Sequence, residues 1–92
     1  MRQADEPLIT RSAMIVDANA AGDAALERDF DEARFRANLL AEKADALGFP
    51  TLAAAAALLM TQLGPVGAAP DSGYGATMLQ IAVELEAIGF TL

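Results

Sequence analysis

The side chains that could do chemistry in this chain are few, and their spacing does not serve catalysis. Ser12 and Ser72 offer hydroxyls, but the 92 residues contain no histidine, and a serine needs an adjacent base to become a nucleophile. There is no cysteine either, which removes thiol chemistry, a disulfide framework and the usual ligands of zinc and other transition metals. The carboxylates Asp29, Asp31 and Glu32 are close in sequence, yet two residues apart on a helix point about 200° apart. They read as a solvated acidic face, not as a metal site. Glu84 and Glu86 diverge in the same way, so they make no acid/base pair. Lys43 follows Glu42 and is expected to stand solvated on a helix face, where an ammonium is no base. Gly64, Gly67, Gly73 and Gly75 match neither spacing that cradles phosphates. No enzyme, no cofactor and no metal is expected, which leaves binding.

Composition narrows the partner. The formal net charge is −7, and no Lys or Arg follows Lys43. Nucleic acid requires a basic footprint and anionic membrane surfaces attract basic segments; neither partner is expected. Met1–Glu6 has no signal-peptide apolar region. The longest apolar run, Leu52–Met60, is far short of the ~20 residues that span a bilayer. A cytoplasmic protein whose partners are proteins is the expectation.

The elements that must position these residues are helices. Pro7 suits a first helical turn behind Asp5 and Glu6, and Ile9, Ala13, Val16 and Ala20 share one face of that first helix. Gly22 reads as its stop and Asp23 as the N-cap of the next, with a bent continuous helix as the competing reading. Leu26, Phe30, Ala33, Ala37, Leu40, Ala44 and Leu47 then alternate steps of four and three, an apolar seam on one long second helix ended by Gly48. Pro50 opens a third helix with Leu52, Ala56, Leu59 and Leu63 inward, closed by Gly64-Pro65. Asp71 or Ser72 caps a fourth, with Met78, Ile81, Leu85 and Ile88 inward and Gly89 at its end. Residues 1–92 thus form one all-α domain, an antiparallel up-down-up-down four-helix bundle, because short links make successive helices antiparallel.

The stretch Asn38-Leu-Leu-Ala-Glu-Lys-Ala-Asp-Ala-Leu47-Gly48-Phe49-Pro50-Thr-Leu52 resembles the signature of the histidine-containing phosphotransfer (HPt) domain, a four-helix bundle that relays phosphoryl groups in two-component signalling. Leu40, Ala44, Leu47, Gly48, Phe49 and Leu52 fall on matching positions without a gap, and the likeness covers roughly residues 30 to 63. Asn38 stands where the family carries its phosphoacceptor histidine. Ala41 and Glu42 stand where it carries lysine and glycine. The resemblance therefore implies a degenerate member: the scaffold kept, the phosphotransfer lost.

On that reading the partner is a response-regulator receiver domain or a histidine kinase. The resemblance places the docking face around Asn38, with Phe35 and Leu39 as its apolar patch and Glu42, Lys43 and Asp45 beside it. The module acts as a decoy or scaffold that carries no phosphate. The alternative is a small assembly protein that works through a homodimer of its first two helices. Exposure of Phe35, Asn38 and Leu39 favours the first, and burial across a two-fold axis the second.

Overall fold

The computed structural model describes the backbone of residues 2–88 and the side chains of 11–88. Four helices follow one another: α1 (Arg2–Leu26), α2 (Phe30–Ala46), α3 (Pro50–Leu63) and α4 (Tyr74–Ile88), with no strand among the described residues. Each packs on the one before it, and α4 returns to α1 over a much smaller contact. The beginning of α2 lies against the end of α3, where Arg34 donates to the carbonyl of Leu63. The fold is the expected all-α four-helix bundle.

The core is built mostly from small side chains. Ala33, Ala37, Leu40 and Ala44 of α2 are buried, together with Leu52, Ala55, Ala56, Leu59 and Leu63 of α3. Met14, Ala24 and Ala25 of α1 and Ile81 and Leu85 of α4 complete the cluster. Alanine saves conformational entropy but buries little area, so the helix axes must approach closely for the core to exclude water. The inward faces expected for α2 from Ala33, for α3 and for α4 agree with this cluster, with Phe30, Leu47, Met78 and Ile88 half-buried at its edge.

The first half of the chain departs from the sequence reading. α1 begins at Arg2 rather than near Pro7, which stands in its second turn. Its inward face is Met14, Asp17, Ala21, Ala24 and Ala25, while Val16 is exposed. The helix also runs through Gly22 and Asp23 to Leu26. Leu26 belongs to α1, is 86% exposed and is no part of the seam. Consequently α1, at 25 residues, exceeds α2, at 17, as the longest helix. The side chain of Ile9, Gly89 and the tail beyond it lie outside the described residues.

The backbone explains the shift. α2 ends in a Schellman motif: Phe49 N–H donates to Ala44 O at 2.8 Å and Gly48 N–H to Asp45 O at 3.1 Å, with Gly48 at φ +82°. α1 ends in the same pair of bonds, Asp29 N–H to Ala24 O at 2.8 Å and Arg28 N–H to Ala25 O at 3.0 Å. There the left-handed position is held by Arg28, at φ +62°. Asp29 then caps α2 by accepting from the Glu32 amide, a capping arrangement six residues downstream of the expected Asp23. A stop written with arginine carries no glycine signal. The nearby Gly22 sits mid-helix instead, where Met78 Cε lies 3.5 Å from the position a Cβ would take.

Arg28→Gly should therefore raise stability by about 1 kcal/mol, by relieving a left-handed side chain. Gly22→Ala should raise it by about 0.5–1 kcal/mol, as at any tolerant helix interior. Urea unfolding of the two variants checks both. If α1 stopped at Gly22, Gly22→Ala would destabilise and Arg28→Gly would do nothing.

Candidate functional site

The period of α2 sorts its side chains into four strips. With Ala33, Ala37, Leu40 and Ala44 turned inward, the opposite strip carries Asp31, Phe35, Asn38, Glu42 and Asp45, and all five are exposed. Glu32, Arg36, Leu39 and Lys43 form the flank that faces α1. Arg34 and Ala41 form the flank that faces α3. The structure thus brings Phe35, Asn38, Glu42 and Asp45 together on one outward surface, and it places Leu39 and Lys43 at the side of that surface.

Phe35 is the apolar feature of the outward strip, 54% exposed. Arg36 stacks its guanidinium 5.8 Å from the Phe35 ring centroid, a contact worth little at an exposed site. Leu39, one turn on from Phe35, is half-buried and continues the apolar surface toward α1. Asn38, exposed between Asp31 and Glu42, presents an amide that can donate and accept hydrogen bonds but cannot act as an imidazole does. Asp31, Glu42 and Asp45 give the strip an acidic rim. Arg34, which pairs with Asp31, is engaged on its other side by the carbonyls of Leu63 and Pro65.

Lys43 is not the solvated lysine that its neighbour Glu42 suggested. Its Nζ lies 2.5 Å from Asp17 Oδ2, and Arg36 Nη1 lies 3.1 Å from Asp17 Oδ1. The Asp17 side chain is 4% exposed. A carboxylate so far out of water needs both cations, and Lys43 is drawn across to α1 to supply one. Arg36 also donates from Nε to Glu32 at 2.8 Å. Its guanidinium pKa is raised, first by the hydrogen bond to Glu32 and then by that to Asp17, so it is cationic at every accessible pH. Asp17 belongs to no motif and stands at no helix end, so the sequence reading gave it no role. The available signal was its place at i+3 from Met14 and i−4 from Ala21, on a purely apolar face.

A second polar cluster sits where α3 leads into α4. Asp71 N–H donates to Gln62 O at 2.7 Å, and the Asp71 carboxylate accepts from Gly73 N–H at 2.8 Å. Asp71 thus fastens the turn ahead of α4 but does not cap it: α4 starts at Tyr74, which puts Gly73, and neither Asp71 nor Ser72, at the cap position. Phe30 meets Tyr74 edge to face, centroids 5.8 Å apart, and ties the start of α2 to the start of α4. Among the described residues no three acids converge to hold a metal ion, and no described helix is long and apolar enough to cross a membrane.

Compared with known proteins, the chain matches no family model, no curated protein and no solved structure. The chemistry of the outward strip therefore has to be read from its own side chains. The strip consists of one exposed aromatic side chain and an amide within an acidic rim.

Substitution should separate the two faces of α2. Leu40→Ala removes a side chain that is 1% exposed and should cost about 2–5 kcal/mol. Phe35→Ala should cost less than about 0.5 kcal/mol, as at other exposed positions. Parallel urea titrations of the two variants measure the contrast, and equal losses would mean that Phe35 is packed.

Proposed function

We propose that this chain is a degenerate HPt-like module, a cytoplasmic protein that binds a receiver domain or a histidine kinase without carrying phosphate. The observation that carries the reading is the exposure of Phe35 and Asn38 on the outward strip of a rigid helix. A relay position must be reachable by its partner, and position 38 is. The residue there is an asparagine, so the site offers a surface and no nucleophile. The role that follows is that of a decoy or scaffold, which holds a signalling partner on a face shaped for phosphotransfer and returns nothing.

Electrostatics favours this reading over a homodimer through α2. Asp31, Glu42 and Asp45 all project from the strip, and a two-fold axis along it would bring like charges together, which costs affinity. The resemblance implies an acidic pocket on a receiver as well. Glu42 accordingly opposes the proposed docking, while Phe35 drives it. Burial of one such aromatic side chain is worth roughly 1.5–3 kcal/mol before ordering costs, which suits a weak and transient encounter.

Titration of the labelled protein with a panel of receiver domains tests the proposal. Phe35→Ala should weaken binding about tenfold, and Glu42→Ala should strengthen it a few-fold. No radiolabel should pass stably from a phosphorylated receiver to this chain. If no receiver or kinase binds, or if binding ignores both substitutions, the signalling role is wrong.

A further inference from the structure

The bundle is closed on three sides and open on the fourth. α1 and α4 meet over little of their length, and between them runs a trough of about 910 Å³. Its α1 wall is low, made of Ala21, Gly22 and Ala25, and its α4 wall carries Met78, Leu79 and Ala82. Leu26 at one lip is 86% exposed and Leu79 at the other 68%. Such apolar side chains facing water on both sides of one groove are costly to leave uncovered. The trough extends along α4 from Tyr74 to Glu86, about 18 Å at 1.5 Å per residue, or three turns of a facing helix. The low wall lets such a helix come close.

The charges on the rim select the occupant. Asp23 stands on the α1 side and Glu86 on the α4 side, and among the described residues no lysine or arginine lines the trough. We infer that the α1–α4 trough is the docking site for an amphipathic helix of another protein, with an apolar stripe about three turns long flanked by lysine or arginine. A second copy of this chain fits poorly. Of its cations with described side chains, Arg34, Arg36 and Lys43 are ion-paired on α2, Arg11 covers the Phe49 ring, and Arg28 stands in the turn between α1 and α2, where it flanks no apolar helical stripe. The exposed apolar side chain of α2 is flanked by acids, and α4 offers Glu84 and Glu86. Self-docking would therefore set carboxylate against carboxylate. The site is separate from the outward strip of α2, so a protein held there leaves the trough free.

Three synthetic 18-residue peptides test the inference against the isotope-labelled protein by NMR titration. One has a leucine stripe flanked by lysine, the second the same stripe flanked by glutamate, and the third the composition of the first in scrambled order. The lysine-flanked peptide is expected to bind and to shift amides of residues 18–26 and 74–86. Leu79→Ser and Glu86→Lys should each weaken it at least about fivefold, while Asp45→Lys, the same kind of charge reversal on α2, should leave it unchanged. Failure of that peptide to bind overturns the inference. So does equal binding of the glutamate-flanked or scrambled peptide, a shift pattern on α2, or an equal loss with Asp45→Lys. Sedimentation equilibrium provides the remaining arm: a dimer whose formation protects the trough amides would assign the trough to a second copy and overturn the inference.

Discussion

One buried carboxylate organises the first half of the molecule. Asp17 lies on the inward face of α1 with 4% of its side chain exposed, and it is held by Arg36 and Lys43 from α2. Desolvating a carboxylate is expensive, and only close cations with hydrogen-bonding geometry offset it. The alanines around it, Ala21, Ala24, Ala33 and Ala37, make a smooth interface on which α1 could slide or turn against α2. The ion cluster defines one register, because Asp17 finds both cations at one setting. The rotation of α1 then follows, with Val16 turned to water and Ala21, Gly22 and Ala25 turned toward α4.

The same cluster decides what α2 shows to the outside. Lys43 and Arg36 are pulled to the α1 side, so the outward strip keeps Asp31, Glu42 and Asp45 with no lysine among them. A surface whose character comes from one aromatic ring and three carboxylates is a consequence of where Asp17 sits. Elsewhere the chain carries little charge: from Ala46 to Val83 the sole ionised side chain is Asp71. The bundle therefore pairs a hairpin rich in charges of both signs, α1 and α2, with one that carries few charges and no cation, α3 and α4. The trough between α1 and α4 lies on the boundary.

The fold class was legible in the sequence because Leu40, Leu52, Leu59, Leu63, Ile81 and Leu85 recur at helical spacing between glycine and proline breaks. The exposed strip was legible too, since Asn38 and Phe35 fall opposite the seam once Ala33, Ala37 and Leu40 point inward. Two features were not. The end of α1 is written with Arg28 in a left-handed position, which local sequence rules assign to glycine, and Gly22 drew the boundary six residues early. Leu26 then joined the seam, because its spacing to Phe30 is helical although a turn intervenes. The inward role of Asp17 was hidden for a related reason: Ala13, Val16 and Ala20 also make a regular stripe, and alanine is too neutral to say which of two stripes is the buried one.

The register of α1 on α2 depends on Asp17 as a charged, interhelical anchor. A double-mutant cycle in urea unfolding tests that directly, with Asp17→Asn, the pair Arg36→Met/Lys43→Met, and all three together. Removing both cations strands the buried carboxylate and is predicted to cost about 3–5 kcal/mol. Adding Asp17→Asn to that pair should restore a large part of the loss, so the triple variant is more stable than the double. A double variant within about 0.5 kcal/mol of wild type, the scale of an ordinary surface substitution, or a triple variant whose loss is the sum of the parts, would contradict it.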